Sequence, residues 1–204
     1  MSSSGFTGVL VNGELKTSYN HMDSAPSELG TDVTKFIKAV VDLGMIEKYK
    51  ELANVLKLVN QHVVPEPEDR ELYGRYSDSS VADGSNWYAT LRKLQGDIAA
   101  QLEAGVAVDS QEFYNDSVFC EYGYLINFDY STLEVFRGFQ KYSHDNGRFA
   151  ANTPPRDNGY YPVALIAEFS FADIAASEGN LVENYLDDPD DPDFDSRNSY
   201  LSLS

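Results

Sequence analysis

The residues best able to do chemistry together stand in one short run, Tyr19-Asn-His-Met-Asp-Ser24. If a strand continues through it, Tyr19, His21 and Asp23 share one face, because successive side chains alternate across a strand. A histidine beside a carboxylate makes His21 and Asp23 candidate catalytic residues, as an oriented general base, or a pair of metal ligands. Tyr19, Asn20 and Ser24 are the candidate binding groups around them. Glu121 and Arg137, from a second hairpin, would complete an enzyme or small-ligand site if all of these converge in one concave pocket. The competing structural reading assigns Asp23 or Ser24 to capping a turn and makes His21 a satisfied, half-buried side chain.

Other reactive groups are weaker candidates. Cys120 with a histidine has the elements of a nucleophilic pair, but it alternates with Tyr122, Tyr124 and Ile126 on an apolar strand face, where a thiol behaves as a small hydrophobe. His144 sits in a polar turn, and His62 falls where a helix C-terminus is expected and a cation suits the dipole. The three histidines and one cysteine repeat no zinc spacing, so no metal site is assigned. An EF-hand register on Asp191, Asp193 and Asp195 fails, since Ser196 and Ser202 stand where Gly and Glu are required. Phosphate-binding glycine loops, the G-x-S-x-G elbow and H-E-x-x-H are all absent, so no cofactor is assigned and the balance leans away from an enzyme. Tyr73, Tyr76, Trp87 and Tyr88 flank a long polar segment and suit an interaction surface.

The elements that must position these groups follow from periodicity and turn chemistry. Residues 8–20 read as a β-hairpin turning at Asn12-Gly13. Val33, Phe36, Ile37, Val40 and Val41 predict a helix over about 31–43, and Ile46 to Val59 a second one that stops before Pro65 with His62 in its last turn. Pro65 to Asn86 reads as a surface loop with a short strand near Glu71–Tyr76. Trp87, Leu91, Leu94, Ile98 and Leu102 predict a third helix ended by Gly105. The period then changes to two. Val118–Phe128 and Leu133–Gly138 form a second hairpin, 154–158 is a loop, and Tyr160–Phe171 is a further strand followed by a helical turn at 172–176. Three helices grouped apart from about five mostly antiparallel strands define an α+β fold. The domain is expected to span 1–182, with an acidic Asp/Pro-rich tail, disordered or peripheral, over 183–204.

Taken together, the opening hairpin, Tyr19-Asn-His-Met-Asp-Ser24, Pro26, Leu29-Gly30, Phe119-Cys-Glu-Tyr-Gly-Tyr124, Leu133-Glu-Val-Phe-Arg-Gly138, Gly147-Arg-Phe149 and Tyr160-Tyr-Pro-Val163 resemble a family of actinobacterial and actinobacteriophage proteins. The likeness spans most of residues 5–170. The chain departs from the family pattern at Ser4-Gly5-Phe6, where Thr-Arg-Gly is usual, and at Ala25, where an aromatic is usual. The resemblance implies a bacterial or phage origin and no particular activity.

Charge sets the classes of partner. Thirty-three acidic against fifteen basic side chains leave −18. The segment 183–204 has one glutamate and six aspartates against one arginine, a net −6, so −12 lies in the body. Such a surface repels nucleic acid and anionic membranes, whose binding depends on Lys and Arg. The N-terminus has no basic and apolar signal pattern, no run of about 18 apolar residues occurs, and a lone cysteine forms no internal disulfide. A soluble protein of the cytoplasm, or of the host cytoplasm if phage-encoded, is expected. It would act as an accessory protein binding a basic protein partner, in the extreme as a nucleic-acid mimic. The alternatives are the enzyme or ligand site around Asn20, His21 and Asp23, and a phage structural component.

Overall fold

In a computed structural model, residues 3–78, 80–81, 85–150 and 158–186 are described, with the side chain of Tyr185 excepted. The expected hairpin forms from β1 (Ser4–Val11) and β2 (Glu14–Asn20). Asn12 and Gly13 both adopt positive φ, as a two-residue turn between twisted strands requires. Asp129 accepts their backbone N–H groups at 2.7 and 2.8 Å, and these bonds hold its carboxyl below the usual carboxylate range.

A π-helical turn, Pro26–Gly30, runs directly into α1 (Thr31–Asp42), followed by α2 (Ile46–Val55). β3 (Lys57–Val59) then pairs in parallel with β4 (Val106–Val108) as a separate two-stranded sheet. Between them lie α3 (Pro67–Tyr73), α4 (Trp87–Thr90) and α5 (Ile98–Ala104). The second half supplies β5 (Cys120–Asn127), β6 (Thr132–Arg137), β7 (Ala164–Ser170), α6 (Phe171–Ala176) and α7 (Leu181–Leu186).

The main sheet has the order β2-β1-β5-β6-β7 and is antiparallel except where β1 meets β5. The fold is therefore α+β, as expected. On one face, Val9, Val11, Tyr124, Ile126, Leu133 and Val135 pack with α1, α2, α5, α6 and α7. On the other, Phe6, Leu10, Leu125 and Phe136 lie under Tyr114, Phe149 and Val163, where Tyr114 and Phe149 stack at 4.0 Å. With both faces covered, the central strands are buried almost continuously. Gly123 is required here, because a Cβ would collide with the ring of Phe6, its partner across the parallel pair.

Several local expectations are corrected. The second helix stops at Val55, since Lys57–Val59 is recruited to a sheet by a partner fifty residues away. His62 consequently sits in a turn, its N–H donating to Asn60 Oδ1, instead of capping a helix. The short strand near 71–76 is α3 and a 3-10 turn, Gly74–Tyr76. Pro67 at the helix start, with Glu68 and Asp69 in the first turn, favours that helix. The third helix is broken into α4, a 3-10 turn at Arg92–Leu94, and α5, because Gly96 turns at φ +81° and Asp97 starts a new helix as N-cap. Cys120 lies on the Phe6 face, opposite Tyr124 and Ile126. A bulge at Glu121, which pairs Ser4 with Cys120 but Gly5 with Tyr122, changes the alternation there. Val182 and Leu186 of α7 are buried, so the packed chain continues past residue 182, while tail residues 187–204 and loop residues 151–157 lie outside the described residues. Among the described residues, no helix is long and apolar enough to cross a membrane.

Two side-chain interactions tie distant elements together. Glu134, on β6, accepts a bidentate pair from Arg148 and a bond from Asn127 Nδ2, pinning the 147–150 turn over the sheet. Tyr49 on α2 donates to Glu103 Oε1 on α5 at 2.7 Å. This bond, then burial, pushes the phenol up to about 12.

Replacing Arg148 by Ala strands a carboxylate that is 4% exposed, and should cost about 3 kcal/mol in a denaturant titration. Arg148→Ala combined with Glu134→Leu should recover part of that loss. Because the folded phenol of Tyr49 holds its proton more tightly than the free value of 10.0, its contribution is complete below pH 10 and is lost as pH rises toward about 12. Tyr49→Phe should therefore flatten the fall in denaturation midpoint over that window.

Candidate binding cleft

The Tyr19–Ser24 run does not act as one cluster. Strand alternation ends at Asn20, and Asp23 takes φ +60° as the chain turns into the π-helical segment. Ser24 is completely buried; its N–H and hydroxyl both donate to Ser3 O, and its carbonyl accepts from Tyr124 at 2.9 Å. Asn20 Nδ2 donates to Met22 O and Ser24 Oγ, closing the turn. Ser24 and the Asn20 amide are therefore committed to holding the chain turn, although neither Asp23 nor Ser24 caps the following π-turn through its side chain and His21 is exposed.

Tyr19 and His21 face away from the turn. The Tyr19 hydroxyl and His21 Nδ1 share a 3.0 Å hydrogen bond, and both rings pack beside Tyr88, with Phe113 edge-on to Tyr19 at 5.0 Å. Burial, and then the nearby Arg92 guanidinium, lower the His21 pKa from its ordinary value of 6.5. Glu121 is half-buried at the bulge, where burial raises its carboxyl. Arg137 is buried with its guanidinium 5.8 Å from the Tyr122 ring centre. Neither joins Asn20 and Asp23. The flanking aromatics are likewise divided: Tyr73 and Tyr76 pack on the cluster containing buried Trp87, while Tyr88 belongs to the His21 group.

Asn20 and Asp23 instead line an open cleft of about 560 Å³ together with Met22, the π-turn, α1 and the segment before α5. The floor is apolar, formed by Leu29, Val33, Phe36 and Ile98, and four exposed carboxylates, Asp23, Glu28, Asp32 and Asp97, surround it. Among the described residues, no Lys, Arg or His lines it. Asp97 also caps α5 by accepting the Ala100 N–H at 2.9 Å. Gly96 sets the width, since a Cβ there would stand 2.9 Å from Asn20 Oδ1 in addition to the strain of its positive φ. Among the described residues, no three carboxylate, imidazole or thiol groups converge as a metal site, so the rim charge is spread out.

Glu28, Asp32 and Asp97 were not singled out from sequence. Their local signal was only that of helix starts, an acidic first turn and an N-cap, which does not reveal that two such starts face each other. No family model, curated protein or solved structure matches the chain.

The His21 ring should titrate below 6.5 when followed by NMR. Arg92→Gln should move that titration upward without restoring the free value, because burial remains.

Proposed function

We propose that this protein works by binding a basic protein partner, and that the cleft between the π-turn and α5 is where the partner docks. The carrying observation is a concave site with four carboxylates on its rim and, among the described residues, no cation in its lining. Complementary charge of this kind steers association and selects against acidic partners.

Several of the cations are wholly or partly buried. Lys16 is buried and donates to Ala53 O and Asn54 O at the end of α2, and Lys38 donates to Ala175 O at the end of α6. Arg148 is spent on Glu134, and Arg137 is 3% exposed. Lys16 and Arg137 are buried, while Lys35, Lys48, Lys57, Arg70, Arg75, Lys93 and Lys141 are exposed but stand outside the cleft lining, so what sets the cleft apart is its own rim of carboxylates. An accessory protein of bacterial or phage origin, working in the cytoplasm, fits both this surface and the family resemblance. The enzyme alternative has less support, because His21 does not line the cleft and Ser24 is committed to Ser3 and Tyr124.

A dye-labelled lysine-rich peptide, followed by fluorescence anisotropy, should bind at low ionic strength and weaken by about tenfold or more as salt is raised to about 0.5 M. Asp23→Asn with Asp32→Asn should weaken binding by about tenfold. Glu66→Gln with Glu71→Gln, the same charge change outside the cleft, should have little effect. Equal loss from both pairs would assign binding to overall charge and overturn the cleft.

A further inference from the structure

The cleft has two kinds of surface, and they are ordered. Leu29, Val33 and Phe36 follow helical spacing along one wall, while Glu28 and Asp32 stand beside them one turn apart. Ile98 and Ala99 face them from the α5 side, with Asp97 at that edge. Burial separates the layers: Leu29, Val33 and Ile98 are buried and Phe36 and Ala99 half-buried, whereas all four carboxylates are exposed. Met22, 44% exposed, adds an apolar group at the mouth.

A purely ionic partner would leave this floor unused. A purely apolar one would bury its surface beneath four charges that it could not pair. From this complementarity we infer that the cleft recognises a mixed segment of the partner, an apolar side chain of Leu size seated on the floor with Lys or Arg immediately flanking it. The flanking cations reach outward to Asp23, Glu28 and Asp32 on one side and Asp97 on the other, while the central side chain contacts Phe36 and Met22. The spread of the carboxylates fits several separate cations better than one point charge, and the volume is in the range of sites that enclose a sizeable organic group. The inference rests on the binding reading above and adds what the partner must display.

The test compares two dye-labelled peptides, Lys-Lys-Leu-Lys-Lys and Lys-Lys-Ser-Lys-Lys, on the full chain by anisotropy. The leucine peptide should bind about five- to tenfold more tightly, as expected for partial burial of one aliphatic side chain. Met22→Ser and Phe36→Ala should each reduce that preference, weakening the leucine peptide more than the serine peptide. Phe36 packs edge-on against Tyr49 at 5.0 Å, so Met22→Ser, at an exposed position, keeps the test decisive if Phe36→Ala fails to fold. Equal affinity for the two peptides, with acid-dependent binding intact, would overturn the mixed-segment inference alone. A preference that survives both variants would overturn it as well, by placing the apolar contact elsewhere. Absence of binding by either peptide at low salt would overturn this inference and the binding function together.

Discussion

One buried tyrosine holds the cleft in place. Tyr124 lies on the central strand β5 with no solvent exposure, and a phenol in that position must find an acceptor or bear the cost of an unmade hydrogen bond. It finds the carbonyl of Ser24, a hundred residues earlier in the chain. Burial drives its pKa well above the ordinary value, so it remains a donor throughout the physiological range. Gly30 passes directly over the same ring, close enough that a Cβ would approach the hydroxyl to 3.0 Å. The turn, the π-helical segment and the start of α1 are thereby set against the sheet at one point, and the wall carrying Asp23, Glu28 and Asp32 follows.

The opposite wall is referred to the same sheet, through β2. Gly96 rests on Asn20, at the end of β2, and Gln101 of α5 donates to Ser18 Oγ on that strand. Both sides of the cleft are thus anchored to one sheet, at β5 and at β2, the two strands that flank β1. That arrangement suits a preformed binding site, in which little ordering must accompany association. It also explains the mixed surface. The floor is the outer edge of the hydrophobic core, reached between two helix starts, and the rim is the acidic first turns that helix starts favour.

Much of the fold was legible where a signal is local. Asn12-Gly13 announced its hairpin, the spacing of Val33, Ile37 and Val40 announced α1, and Gly105 announced the end of α5 with a left-handed C-cap. Signals failed where a distant partner decided the outcome. Lys57–Val59 continues a helical pattern yet becomes a strand, because Val106–Val108 offers a ladder to it. The aromatic and leucine spacing from Trp87 to Leu102 is helical in period, but its residues fall into two separate clusters once Gly96 turns the chain. At the site, Asn20, His21 and Asp23 were recognised together as one run of polar groups at a strand exit, but His21 turns toward Tyr88, and Glu121 and Arg137, added from the second hairpin by residue type, lie elsewhere.

The amino-acid sequence by itself determined the α+β class, the acidity, the positions of the main turns and the run of polar residues after β2, since each depends on composition or on neighbours within a few positions. Tertiary structure alone decided which of those polar residues became structural and which became accessible. It buried Ser24 under Tyr124, turned His21 toward Tyr88, and brought Glu28 and Asp32 to face Asp97 across an apolar floor. The physical reason is that burial and charge convergence are properties of pairs of surfaces. Two helix starts more than sixty residues apart have no local means of recording that the sheet will bring them together.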